Sequence, residues 1–462
     1  MRLLARSSAS LAAIILGLHG TGASAQDAPP PVAEAATAQD DAAEPEQTDA
    51  ATVPDQEPPS PPSTDILSGR TLSILLDGRI VAVDGERSFL DRGMGKTRFS
   101  GAADNDFRVV PLPIEADLIW TPRFTSSLAG NVSASWQRDQ ENAVDLLEAF
   151  VTFLPSRGEH LSFSAKAGLY WPEISLEHAT GGAWSTVHTI TPSAINAWIG
   201  EEVKVVGLEA TLTATFGKHD VSLTGGAFGF NDTSGTLLSF RGWGLHDLKA
   251  TAFGHIQLPV LNTFMTRAQA PTTRSLLEID DRVGFYGRLE WRPPAPFSIN
   301  AFYYDNRGDP EAFNPSLQWG WRTRFANIGI SAYPGERTRI LAQAMYGTTQ
   351  MGIIPHGLTR YWVDTKYRSA FVLVAQDVAQ GHGQISGRLE LFDTRERGSR
   401  MDPGESENGG AATLAGRWRL NDMLTGFVEV MHVRSRREVR IRTGETPFQA
   451  QTVIQASLRL RL

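Results

Sequence analysis

Cysteine is absent from the 462 residues, so neither a disulfide nor a thiolate metal site can stabilise this chain. Long apolar runs are missing as well. Beyond the N-terminal segment no stretch approaches the roughly 18 apolar residues that a membrane-spanning helix needs, which excludes a helical membrane protein. Lysine is scarce, with Lys96, Lys166, Lys204, Lys218, Lys249 and Lys366 the complete set. The histidines form no His-x-x-x-His pair, no Gly-x-Ser-x-Gly elbow occurs, and no phosphate-cradling loop or dinucleotide fingerprint appears among the 43 glycines. These absences predict no catalytic residue, no metal ligand set and no cofactor. Basic residues are spread singly along the chain, which argues against nucleic-acid binding.

What is present begins with an export signal. Arg2 and Arg6 precede the apolar run Leu11 to Leu18, and Ala23-Ser24-Ala25 offers small residues for cleavage near Ala25, so residues 1–25 read as a signal peptide. Residues 26–65 are rich in Ala, Pro, Gln and acid, with ten carboxylates and no Lys or Arg. Such a segment cannot bury enough apolar surface to fold, and it is expected to be a disordered periplasmic segment. Once these segments are set aside, residues 66–462 hold 41 acidic and 41 basic residues, so the acidic balance belongs to the tail.

From residue 66 onward the chain alternates with period two between turn signals. Val206, Leu208, Ala210, Leu212, Ala214 and Phe216 share one parity, with Glu209, Thr211, Thr213 and Thr215 on the other. The last twelve residues do the same, placing Ile454, Ala456, Leu458, Leu460 and Leu462 opposite Gln455, Ser457, Arg459 and Arg461. Apolar-out, polar-in strands of this kind are the pattern of an outer-membrane barrel. Lipid offers no partner to an open strand edge, so the sheet must close.

The connections sharpen this reading. Long segments near 306–316, 350–366, 394–410 and 437–449 alternate with short links near 293–296, 334–336, 378–383 and 421–423, as external loops and periplasmic turns do. The front half repeats the scheme, with short links at 121–123, 155–160 and 217–220 and longer ones at 84–106, 171–200 and 231–246. The fold class expected is all-β, a transmembrane antiparallel β-barrel of 16 or 18 strands. The count turns on whether Pro259 to Asp281 hides a further hairpin. Trp319, Trp321 and Phe325 are odd while Ile328, Ile330 and Ala332 are even, and a bulge near Asn327 would reconcile the two parities.

Taking the polar parity of each clear strand as lumen-facing gives Arg288, Arg322, Arg324, Arg388, Arg417 and Arg419, against Glu209, Glu290 and Glu390. This excess would attract anions, since guanidinium forks suit phosphate and carboxylate; pairing of these arginines with inward acids is the competing role. The second feature is the loop Trp171 to Gly200 after the fifth strand. Folded into the barrel, it would turn Glu173, Glu177, His178, Trp184, His188 and Trp198 toward a solute.

The run Gly168-Leu169-Tyr170-Trp171-Pro172-Glu173, the later Ala197-Trp198-Ile199-Gly200-Glu201-Glu202 and the strand Val206 to Phe216 resemble the phosphate-selective porins (the outer-membrane porin O/P-like family) over roughly residues 160–260. That resemblance implies a 16-stranded outer-membrane barrel, a homotrimer, with the third loop folded into an arginine-lined pore. The few lysines and the final Leu462, where the family ends on an aromatic, depart from its pattern.

The expected function is therefore an outer-membrane porin of a Gram-negative bacterium. It would give passive diffusion of small hydrophilic, preferentially anionic solutes, with phosphate as one candidate, and its other partners would be outer-membrane lipid and its own copies. The alternatives are an outer-membrane barrel enzyme of lipase or protease type and a plugged structural barrel.

Overall fold

The computed structural model describes residues 66–102, 106–155, 158, 160–178 and 186–462. The expected signal peptide, the acidic segment 26–65 and Trp184 lie outside these residues. Eighteen strands are assigned: β1 (Leu72–Val83), β2 (Arg108–Trp120), β3 (Leu128–Gln137), β4 (Asp145–Phe153), β5 (Leu161–Tyr170), β6 (Val205–Phe216), β7 (His219–Gly229), β8 (Ile256–Gln257), β9 (Thr272–Thr273), β10 (Gly284–Arg292), β11 (Phe297–Asp305), β12 (Arg322–Ala332), β13 (Thr338–Met351), β14 (Val363–Val378), β15 (Gly383–Glu396), β16 (Glu407–Arg419), β17 (Leu424–Arg437) and β18 (Phe448–Arg461).

Sixteen of these form one closed antiparallel barrel, in which β18 pairs back onto β1 and β7 is followed by β10. The remaining two, β8 and β9, pair only with each other. This resolves the choice between 16 and 18 strands: β9, within 259–281, pairs with β8 just before that segment in a short ladder that is not part of the wall.

Period-two alternation shapes the wall, because side chains at i and i+2 share a face. The outer face is apolar over a broad band, with Leu208, Leu289, Ile328, Val372, Leu389, Leu414 and Val428 exposed. Aromatics Phe153, Phe216, Trp291, Tyr333 and Trp418 stand exposed near the short-turn end, the position of an interfacial girdle. Water would penalise such a belt, so the wall fits a lipid surround. The tightest turn, Gly217-Lys218 between β6 and β7, places Gly217 at φ +62, where a side chain would be strained.

Register is continuous along β11, β12 and β13, so the bulge expected near Asn327 does not form. The inward parity of β12 is Thr323, Phe325, Asn327, Gly329 and Ser331; Arg322 and Arg324 share the outer face with Ile328 and Ile330. They are not pore-lining. The physical reason is that the inner wall is itself apolar at Phe325. Phe325 stacks on Tyr304 and Phe302, so apolar parity at this point does not mark the lipid side.

Candidate functional site: a lumen with two inserted segments

The lumen is occupied by two stretches of chain. The first connects β5 to β6 and carries helix α1 (Ala194–Glu202), which Ser193 caps by accepting from the Asn196 N–H. Inward polar groups of the far wall hold it. Asn327 and Gln343 donate to the Ile174 carbonyl at 3.2 and 2.7 Å. Glu429 accepts from the backbone N–H groups of Ile190 and Thr191, and Glu390 from that of Ala194. Arg388 on β15 is the central anchor. It pairs with Glu177 at 2.9 Å and with Glu390 at 3.0 Å, and donates to the carbonyls of Thr191 and Pro192.

The second stretch runs between β7 and β10 and carries α2 (Thr236–Phe240) and α3 (Met265–Ala268). Residues 231–250 are buried throughout, although this segment reads in sequence as an ordinary external loop. Arg241 forks onto Glu201 of α1 at 2.7 and 2.5 Å. Asp247 accepts from Arg79 of β1 at 2.5 Å and from Arg98 at 3.2 Å. Trp243 meets Trp198 and Tyr367 edge-on. A detectable signal was available: Leu237, Leu238, Phe240, Trp243, Leu245 and Leu248 are more apolar than a solvated loop requires.

Burial sets the charges of the groups between these segments. Glu202 is pushed up to about 7 by burial, offset in part by the N–H groups of Leu237 and Trp198. Burial also acts on Glu201, but the adjacent Arg241 and His246 outweigh it and hold that carboxylate down at about 2. Lys204, just before β6, is pushed down to about 7 by burial, against the attraction of Glu148 and Asp145. Its ammonium lies 3.8 Å from the Trp171 ring centre.

Open space remains on both sides of this packing. Toward the short-turn mouth a cavity of about 560 Å³ is lined by Arg123, Lys166, Arg288 and Arg292 and by Glu148, Glu173, Glu209 and Glu290, with His178 beside them. Its formal charge is balanced. Toward the long-loop mouth lie cavities of about 240 and 430 Å³, the first lined by Arg98, Arg108 and Arg138 with Asp91 and Asp139. Between the two sides sits a buried charged belt that includes Glu115, Asp117, Glu148, Lys204 and Lys249. Within it Lys249 and Glu115 are 2.5 Å apart.

The expected site residues thus divide. Arg288 faces the lumen but is bridged to Glu173 at 3.1 Å and to Glu290 at 2.8 Å. Arg388, fully buried, is an anchor and not a solute contact. His188 is buried with its ring 2.9 Å from Gln384. Trp198 is buried among Phe325, Tyr367 and Trp243, with its indole N–H on Glu202 at 2.7 Å. Neither faces a solute, because the inserted chain packs wall to wall. Arg417 and Arg419 do share the inward parity of β16, and Arg417 donates to the Val187 carbonyl at 3.2 Å.

Around Arg417 the wall brings together residues that sequence alone did not group. Arg339 of β13, Arg459 and Arg461 of β18 and Asp377 of β14 lie on inward parities at the same mouth. Arg417 feels the charges of Asp377, Arg339, Arg419 and Arg459. Parity names each of these residues, but only closure of the barrel through β18 and β1 makes them neighbours.

No family model matches the chain, and no curated protein matches it. Solved structures do. The outer membrane channel DcaP of Acinetobacter baumannii aligns with a TM-score of 0.50 at 8% identity, over 86% of this chain and 99% of that one. An anion-selective porin from Comamonas acidovorans aligns with a TM-score of 0.48 at 10% identity, over 85% and 99%. At such identities the likeness is one of fold alone: this chain's closed 16-stranded barrel is similar in fold to the outer membrane channel DcaP.

Proposed function

We propose that this chain is an outer-membrane porin through which small hydrophilic solutes diffuse passively, with a preference for anions. The long-loop end is external and the short-turn end periplasmic, reached after cleavage of a signal peptide near Ala25, with 26–65 as a periplasmic spacer. The observation that carries the anion preference is the periplasmic mouth, where Arg339, Arg417, Arg419 and Arg461 face inward against Asp377, while Arg459 beside them is paired with Asp77 at 3.2 Å. A cationic mouth in a low-dielectric wall concentrates anions and repels cations. No bond is made or broken. The balanced charge of the inner chamber and the scarcity of lysine favour general anion preference over a dedicated phosphate site, so phosphate is one solute among several. Homotrimeric assembly is part of this reading, supported by the family resemblance and by the uncharged outer face that β1 to β7 offer to a neighbour apart from His219.

Purified full-length protein in a planar bilayer under a salt gradient tests this. Ohmic steps with a reversal potential favouring the anion are expected, and cation preference would overturn the arginine argument. A second reading, a barrel plugged by its own inserted segments, is favoured by the continuous burial of residues 231–250 and of the charged belt. Absence of current in every preparation that shows a folded barrel would select it.

A further inference from the structure

The outer wall carries a basic surface that a channel does not need. On the outward parity of the barrel strands, Lys and Arg occur only at Arg322, Arg324, Lys366, Arg368, Arg395, Arg434 and Arg436. All seven sit at the long-loop end, on β12, β14, β15 and β17. The outward faces of β1 to β11 carry none, and neither does the short-turn half of any barrel strand.

Register places the first five together. Arg324 pairs across with Thr348, Thr348 with Lys366, and Lys366 with Arg395, so that these residues stand in one row on the outside. Neighbouring strands are about 4.8 Å apart, so the row from Arg324 to Arg395 spans roughly 15 Å, the scale of a lipid headgroup. Arg322 extends the patch upward and Arg368 downward, where Ala326, Tyr346 and Ala370 lead into the apolar band.

The patch is underneutralised. Asp393 is taken by Arg368 at 2.9 Å, and Asp364 by Arg397 at 2.6 Å and Arg360 at 3.4 Å. Among the described residues Arg322, Arg324, Lys366 and Arg395 have no carboxylate partner; Arg324 donates only to the Thr348 hydroxyl at 3.3 Å. Cations aimed at lipid are unfavourable in the hydrocarbon and become tolerable at the interface. Several left unpaired at one interface and absent from the other call for an anionic counterpart in that leaflet.

We propose that the outer face of β12 to β15 at the external rim binds the phosphorylated headgroup of a lipid in the surrounding external leaflet. Guanidinium forks donate two hydrogen bonds at once to phosphate oxygens, and Lys366 adds a point charge between them. The lipid's acyl chains then lie along Ile328, Ala344, Val372 and Leu389, which are outward on the same strands. The proposal rests on the outer-membrane reading for its orientation, and its test reads lipid, not current.

The full-length protein in nanodiscs is titrated with bisphosphorylated lipid A, with its dephosphorylated form, and with inorganic phosphate as competitor. Wild type should retain the bisphosphorylated lipid, and Arg322→Gln/Arg324→Gln/Lys366→Gln/Arg395→Gln should lose it by about tenfold or more, with heat-modifiable mobility and conductance unchanged. Asp393→Asn, which frees Arg368, should tighten retention and covers the case in which the quadruple variant does not fold. Equal retention by wild type and variants, equal retention of the dephosphorylated lipid, or full displacement by millimolar inorganic phosphate would each overturn the proposal. Loss of conductance in wild type would instead count against the channel reading.

Discussion

Arg388 of β15 and Glu177 of the inserted loop face each other at 2.9 Å with both side chains fully buried. The pair ties the loop to the wall opposite its origin, and the guanidinium also holds Glu390 and two loop carbonyls. Removing one partner of a buried pair costs on the order of 3–5 kcal/mol, because the other charge is left without compensation. Arg388→Met strands two carboxylates at once. The variant should unfold at lower temperature and give larger, noisier single-channel currents as the loop leaves the wall; unchanged melting and unchanged current would show that the loop is held elsewhere.

Ion selectivity should respond to the periplasmic mouth and not to the other arginines. Charge reversal by Arg417→Glu/Arg419→Glu should move the anion-to-cation permeability ratio toward cations by roughly threefold or more. Arg322→Gln/Arg324→Gln should leave it unchanged, because those side chains lie outside the wall. Arg288→Gln should have little effect, since Glu173 and Glu290 already neutralise that position. Reversal potentials under one salt gradient compare all three. A large shift from Arg288→Gln with none from the mouth variant would relocate the filter to the inner chamber.

The contrast between Arg417 and Arg324 shows what the sequence could carry. Both lie on polar-looking parities, yet Arg417 faces in and Arg324 out. On β16 the outward residues Ala412 and Leu414 are apolar and the inward Thr413 is polar, so parity decides. On β12 both parities mix polar and apolar residues, because inward Phe325 packs against Trp198 of the inserted helix while Arg322 and Arg324 stand outward with Ile328 and Ile330. A two-valued pattern cannot choose a side when the lumen has its own apolar core. The same lumen core takes up the second inserted segment, whose apolar residues Leu237 to Leu248 were its sign in the sequence. Loop lengths and strand parity were legible because lipid and turn chemistry impose them locally. Arg417, Arg419, Arg459 and Arg461 were each legible as inward residues at the periplasmic end, but neither their grouping with Arg339 nor the external rim was, because both depend on which strands become neighbours.

Glu202 gives a pH signature of that internal core. Its carboxyl accepts from the Leu237 and Leu238 N–H groups and from Trp198, joining the two inserted segments. Burial lifts it from an ordinary 4.5 to about 7. Between those values the folded chain binds more protons at this site than the unfolded chain, so the stability contributed by the site is full below about 4.5 and falls as pH rises to about 7. The loss across that window is on the order of 3 kcal/mol. Glu202→Gln keeps an acceptor for the N–H groups and cannot ionise. The thermal midpoint of the wild type should therefore drop relative to the variant as pH is raised from 4.5 to 7, and the difference should level off above 7. A wild-type-minus-variant difference that is flat across this range, or that grows in favour of the wild type, would mean that Glu202 is already charged inside the barrel and that the contact between the two segments does not depend on its proton.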